Sequence, residues 1–91
     1  MGYRVVVHAD LEGDLAALDR RIQAQVLTIF KTRLGEAPLS YGKPLAGRLH
    51  GLRRIRLGDH RIVYEVTGST IKVWVAAHRA HAYELAWKRI H

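Results

Sequence analysis

The spacing of apolar residues changes twice along the chain, and each change predicts a different kind of element. YRVVV at residues 3–7 is β-branched and bounded by His8 and Asp10, which predicts a short first strand, inside or at the edge of a sheet. From Asp14 onward Leu15, Leu18, Ile22, Val26, Ile29, Phe30 and Leu34 recur three or four residues apart, the stripe that one buried helical face requires. Asp19 lies inside that run and can cap a new helix. The pattern therefore predicts two helices, about 10–18 and 20–34, folded as a hairpin or bent rod. Gly35 stops the second, and GEAPLSYGKPLAG, with two prolines and three glycines, reads as a connecting loop.

Beyond the loop the period becomes two. Gly58-Asp59 and Gly68-Ser69 are two-residue hairpin signals, so three antiparallel strands are expected near 52–57, 60–66 and 71–77. The tail AHAYELAWKRIH has no breaker and predicts a short terminal helix. These elements make one domain over residues 1–91, helices and a terminal helix around a set of antiparallel strands.

Alternation along the strands separates side chains by face. Ile55, Leu57, Ile62 and Tyr64 share one parity, while Arg54, Arg56 and Arg61 share the other, so the hairpin is two-faced. Four arginines fall within residues 53–61, and like charges on one sheet face repel unless an anion lies among them. Guanidinium forks match phosphate oxygens in pairs, which points to a phosphate-bearing ligand rather than to simple solvation of the surface.

Charge sharpens this picture. The formal net charge is +7, yet residues 1–42 carry five Lys/Arg against five Asp/Glu, and residues 43–91 carry ten against three. All the excess lies in the second half, the electrostatic footprint of a nucleic-acid binder. No cysteine is present, which excludes disulfides and thiolate metal sites, and no apolar run is long enough to span a bilayer. A cytoplasmic protein with no membrane partner is expected. His78 and His81 stand three apart without carboxylate support, a poor metal site, so neither metal nor cofactor is expected.

Three motifs carry a family resemblance: GKPL-x-G-x-L-x-G-L at residues 42–52, R-x-G-D-x-R-I-V-Y at 56–64, and HRAHAY at 78–83. With the order of elements, they make nearly the whole chain resemble the RelE-type toxins of the RelE/ParE superfamily. The resemblance implies a small α/β fold of the α+β type, with two N-terminal helices on one face of an antiparallel twisted sheet, and the toxin of a type II toxin–antitoxin pair, cutting messenger RNA in the ribosomal A site. It also implies an acidic cognate antitoxin and a hetero-oligomeric complex. By motif position it assigns the catalytic work to Arg54, Arg56, Arg61, Arg79 and Tyr83. Lys43, Arg48 and Arg53 are added as RNA-binding cations.

Metal-free RNA cleavage needs a base for the 2′-hydroxyl, cations for the phosphorane oxygens and an acid for the departing 5′-oxygen. Several RelE-type enzymes carry lysines where this chain has Arg54 and Arg56. Arginine stays protonated at ordinary pH, so those positions can hold phosphate but cannot take a proton. The base is therefore open. His81 is the first candidate, beside His60, His78 and Glu65, because histidine titrates near neutrality. Trp74 and Trp87 read as core, Tyr83 as a residue able to stack a base. Two other classes remain: a ParE-like gyrase inhibitor on the same fold, which the arginine set disfavours, and an inactive homologue that only binds its antitoxin.

Overall fold

The computed structural model describes residues 2–91. The chain runs β1 (Arg4–Val7), α1 (Leu11–Ala16), α2 (Arg20–Ile29), α3 (Pro38–Tyr41), β2 (Lys43–Pro44), β3 (Arg53–Leu57), β4 (His60–Thr67), β5 (Thr70–His78) and α4 (Arg79–Ile90). A five-stranded sheet in the order β1-β5-β4-β3-β2 carries everything else. From β1 at one edge the chain crosses the sheet as the α1–α2 hairpin and re-enters at the opposite edge as β2. A meander of hairpins then returns it to β5, where α4 begins.

Asp19 caps α2, its side chain accepting from the Ile22 amide at 2.9 Å, an interaction worth about 1 kcal/mol. The helix expected to reach residue 34 loosens after Ile29 into a π-helical turn, Phe30–Leu34, closed by the Gly35 amide on the Phe30 carbonyl at 3.1 Å. Gly58 and Gly68 adopt φ of 60° and 61° while no non-glycine residue has positive φ, the signature of II′-type hairpin turns.

Three features depart from the sequence expectation. β1 runs parallel to β5, with Arg4 opposite Thr70 and Val7 opposite Val73, so the sheet is mixed. The 35–47 connection contains α3 and the two-residue strand β2, both too short to leave a periodic trace. On β5, Val63 faces Val75 and Tyr64 faces Val73, so Trp74 is an extra, bulged residue and side-chain parity changes there.

The sheet separates two cores. On one face Leu11, Val26, Ile29 and Leu34 from the helical hairpin meet Ile55, Ile62, Tyr64, Ile71 and Val73. On the other, Ala82 and Ala86 of α4 meet Leu49, Leu52, Val63 and Val75. Small alanines let α4 sit close on β4 and β5. No helix among the described residues is long and apolar enough to cross a membrane.

Candidate RNA-binding face

The structure sorts the arginines by what they touch. Arg53 shares parity with Ile55 and turns toward the helical face, where its guanidinium donates to the carbonyls of Leu39 at 3.1 Å and Gly42 at 2.6 Å. It clamps the 38–42 segment and does not join the cations on the opposite face, contrary to its expected RNA-binding placement. Tyr64 works with it: the phenol is fully buried and donates to the Pro38 carbonyl. A side chain at Gly42 would overlap that hydroxyl, so the position requires glycine. Burial pushes the Tyr64 phenol above its ordinary value of 10, partly offset by Arg53 and the Gly42 backbone.

Arg48 is also spoken for. It pairs with Glu84 at 2.9 Å and lies over the Trp87 ring at 4.5 Å, although it stays exposed and can still meet a ligand. Arg89 is tied more deeply. Its guanidinium donates to both Asp14 carboxylate oxygens, at 2.7 and 2.8 Å, and to the Trp74 carbonyl, while Asp14 also accepts from the Ala76 amide. The pair holds Arg89 still more firmly protonated than usual. β1 ends opposite Val73, so residues 74–76 have no strand on that side, and the ion pair satisfies the Trp74 carbonyl and the Ala76 amide there instead.

The remaining cations have no such partner. Among the described residues Lys43, Arg54, Arg56, Arg61 and Arg79 make no ion pair with a carboxylate. Lys43 lies opposite Arg54, and Arg56 directly opposite Arg61, all on the α4 face. Directly opposed like charges destabilise a sheet by a few tenths of a kcal/mol to about 1 kcal/mol. Arg61 is only 8% exposed, and its guanidinium donates to the carbonyls of Gly58 at 2.9 Å and His60 at 2.8 Å. The same turn accepts the Arg79 amide at the Asp59 carbonyl, 2.7 Å away. The II′ turn thus positions Arg61 directly and Arg79 through the first residue of α4. Tyr83 follows Arg79 by one helical turn and packs into the second core with Leu52 and Val63, the neighbours of Arg54 on that face.

His81 goes elsewhere. Positions 81 and 83 are about 200° apart around a helix, and His81 lines a cleft of about 420 Å³ with His60, His78, Leu18 and Leu85. The His60–His78 ring centroids are 5.7 Å apart and those of His78–His81 6.4 Å. This cleft opens at the free end of β5; its His60 precedes Arg61 and its Ala77 lies opposite Arg61, while Arg54 and Arg56 lie one strand further out. The three histidines line this cleft together. His78 has a local role, capping α4 by accepting from the Ala80 amide at 3.1 Å. Glu65 accepts from the Trp74 indole at 3.3 Å and lies opposite Lys72, whose ammonium sits over the same Trp74 ring at 4.2 Å. Trp74 and Trp87 both pack against the second core. Arg33 and Tyr41, which the sequence did not single out, are brought by the fold to the outer edge of β3 beside Lys43, Arg54 and Arg56.

A small mixed sheet with a helical hairpin on one face and an unpaired cationic surface on the other makes a compact domain with a candidate polyanion-binding face. Comparison with known proteins narrows the class. Residues 5–83 match the family model described as the ParE toxin of a type II toxin–antitoxin system. Toxin RelE of Mycobacterium tuberculosis is 32% identical over 85 residues, spanning 91% of this chain and 88% of that protein. A toxin in a RelBE toxin–antitoxin complex from the same organism superposes with a TM-score of 0.80 at 31% identity, over 87% of this chain and all of that one. A mutant RelE from Escherichia coli in the free state matches with a TM-score of 0.77 over the whole of both chains, and at 21% identity shares the fold. The chain belongs to the RelE/ParE family of type II toxin–antitoxin toxins.

Proposed function

We propose that this toxin is a ribosome-dependent mRNA endoribonuclease that acts without a metal. The observation that carries this reading is the Arg56–Arg61 pair, opposed across β3 and β4 with no carboxylate to neutralise it, and linked to Arg79 through the 58–60 turn. A phosphodiester seated there relieves the repulsion. As the 2′-oxygen attacks the adjacent phosphorus, negative charge builds on the nonbridging oxygens, where fixed guanidiniums stabilise it without reorganising. The new 2′ O–P bond gives a cyclic phosphate, and the breaking P–O bond releases a 5′-hydroxyl.

Arg54, Arg56, Arg61 and Arg79 hold and polarise the phosphate, and Lys43 and Arg48 extend the contact to flanking RNA. Because His81 faces the β5 cleft, the chain's own proton-transfer role is assigned to Tyr83, on the arginine side of α4. The family model carries the ParE name, which keeps gyrase inhibition as the competing reading; the unpaired arginine set favours RNA. The partner is a cognate antitoxin, which the RelBE complex of a relative supports; the net charge makes it acidic, covering the Arg54/Arg56/Arg61 surface or displacing the 80–91 tail. Its association should slow steeply with salt.

Induction of the chain alone tests the function. Pulse labelling should show protein synthesis falling before DNA synthesis, with new mRNA 5′ ends inside codons. DNA synthesis stopping first, with altered supercoiling, would establish the gyrase reading instead.

A further inference from the structure

The free edge of β3 carries a second feature that phosphate chemistry at Arg56 and Arg61 does not use. β2 pairs only with Arg53 and Arg54, so the strand beyond is open on that side. A depression of about 240 Å³ lies there, lined by Arg33, Tyr41, Lys43, Arg54, Ile55 and Arg56. Four of those six residues are cationic, and none is acidic. Tyr41 is 55% exposed, and the Arg33 guanidinium lies over its ring at 5.4 Å, leaving aromatic surface available.

Cations on a strand edge also deter edge-to-edge pairing, which explains a lysine or two in any sheet. It does not explain an exposed tyrosine held among them on a braced loop. The segment bearing Tyr41 and Lys43 is fixed from below: Arg53 grips the Leu39 and Gly42 carbonyls, and the Tyr64 hydroxyl grips Pro38. A rigid aromatic beside clustered cations suits single-stranded nucleic acid, whose bases stack while its phosphates meet the charges. An acidic peptide would use the cations but leave the ring without a partner.

We infer that Tyr41 and Arg33 form a flanking-nucleotide subsite, where a base next to the cleaved position stacks on Tyr41 and its phosphate meets Arg33 and Lys43. The proposal rests on the RNA-cleavage reading and extends it outward by one strand. It makes the β3 edge a determinant of which message sequence is held, since stacking strength varies among bases.

The probes are uncleavable 2′-O-methyl RNA oligonucleotides of three and six nucleotides, with binding read by fluorescence anisotropy at low salt. The wild-type toxin should bind the hexamer more tightly than the trimer. Tyr41→Ala should remove that length-dependent gain, a loss of about tenfold on the scale of one stacked base, and Tyr41→Phe should restore it. Arg33→Gln should lower the slope of log affinity against log salt by about 0.7, one phosphate's share for a single strand. Both positions are exposed, and unchanged melting temperatures will show that the variants are folded. Equal hexamer binding by wild type and Tyr41→Ala overturns the subsite, as does no RNA binding by the wild type, or poly-glutamate binding lost on Tyr41→Ala while hexamer binding is kept. If the hexamer contrast holds while ribosome-bound message stays intact, the subsite stands and the cleavage reading falls.

Discussion

The two faces of the sheet are built to opposite standards. The hairpin face is closed: Leu11, Leu34, Ile62 and Tyr64 are fully buried, and even its one guanidinium, Arg53, ends on backbone carbonyls. On the other face α4 packs on β4 and β5 and leaves Arg54 half-buried and Arg56 exposed, Arg56 opposed to Arg61 and both without counter-ions. Adjacent residues illustrate the contrast. Arg53 and Arg54 differ by one position and hence by face, so the same side chain braces a loop in one case and waits for an anion in the other. Both faces carry a buried core, and only the open one also carries opposed, unpaired charge. The open face carries an electrostatic penalty that a ligand relieves, the expected compromise of a functional surface.

The largest test attacks the buried ion pair that ties the faces together. Asp14 of α1 and Arg89 of α4 are each about nine-tenths buried, and removing one partner of such a pair leaves a buried charge alone. Asp14→Ala should destabilise the protein by about 3–5 kcal/mol. Hydrogen exchange should place the loss unevenly, with α4 amides exchanging faster while those of α2 keep their protection relative to global unfolding. If α4 exchanges no faster than α2, the clamp is not what holds the open face together.

Next in size is a substitution that separates activity from stability. Arg56→Ala should lower cleavage about 10²–10³-fold, the scale of one lost oxyanion contact. Its melting temperature should hold or rise, because the opposing Arg61 loses a like-charged neighbour. A variant that melts earlier yet still cuts would reverse the roles given to the two faces.

How much of this contrast was legible depends on the range of each interaction. Helical stripe, hairpin glycines and strand parity are local, and they led directly to the hairpin, the meander and the Arg54/Arg56/Arg61 set. Parity also excludes Arg53 from that set when applied strictly, and helical phase separates His81 from Tyr83; both signals were present in the residues. The parallel β1–β5 pairing and the Asp14–Arg89 clamp join residues more than sixty positions apart, and the Trp74 bulge adds a single residue to one strand without changing its alternation in sequence. No periodicity encodes those. Arg33 and Tyr41 likewise become neighbours of Arg54 only through the fold.

A smaller effect probes the closed face by pH. The Tyr64 phenol is raised above 10 by burial, so the folded state keeps its proton at a pH where the unfolded chain gives it up. The stability linked to this group is present in full below about pH 10 and is lost as pH rises through the higher folded value. Tyr64→Phe should lower stability by about 1 kcal/mol near neutrality, from the lost bond to Pro38. It should also flatten the alkaline decline measured by denaturant unfolding. A decline equally steep in the variant would place the alkaline-sensitive group elsewhere.

The smallest expected effect is at His81, and its size is the point. The ring lines the β5 cleft with His60 and His78, one strand from Arg61 and two from Arg56, whereas Tyr83 packs on the second core one turn after Arg79 on the same helix. His81→Gln should therefore leave the cleavage rate within about twofold, since a single exposed substitution away from the chemistry perturbs little. Tyr83→Phe keeps the ring and removes only the hydroxyl, so a loss of at least tenfold there would assign proton transfer to that oxygen. The pH profile discriminates between the two. A wild-type rate limb between pH 6 and 7 that disappears in His81→Gln would mean that the imidazole reaches the substrate from the cleft, and that α4 turns when the ribosome is bound. With the limb unchanged, the open face alone carries the chemistry, and the histidine cleft is left to packing at the seam between α1 and α4.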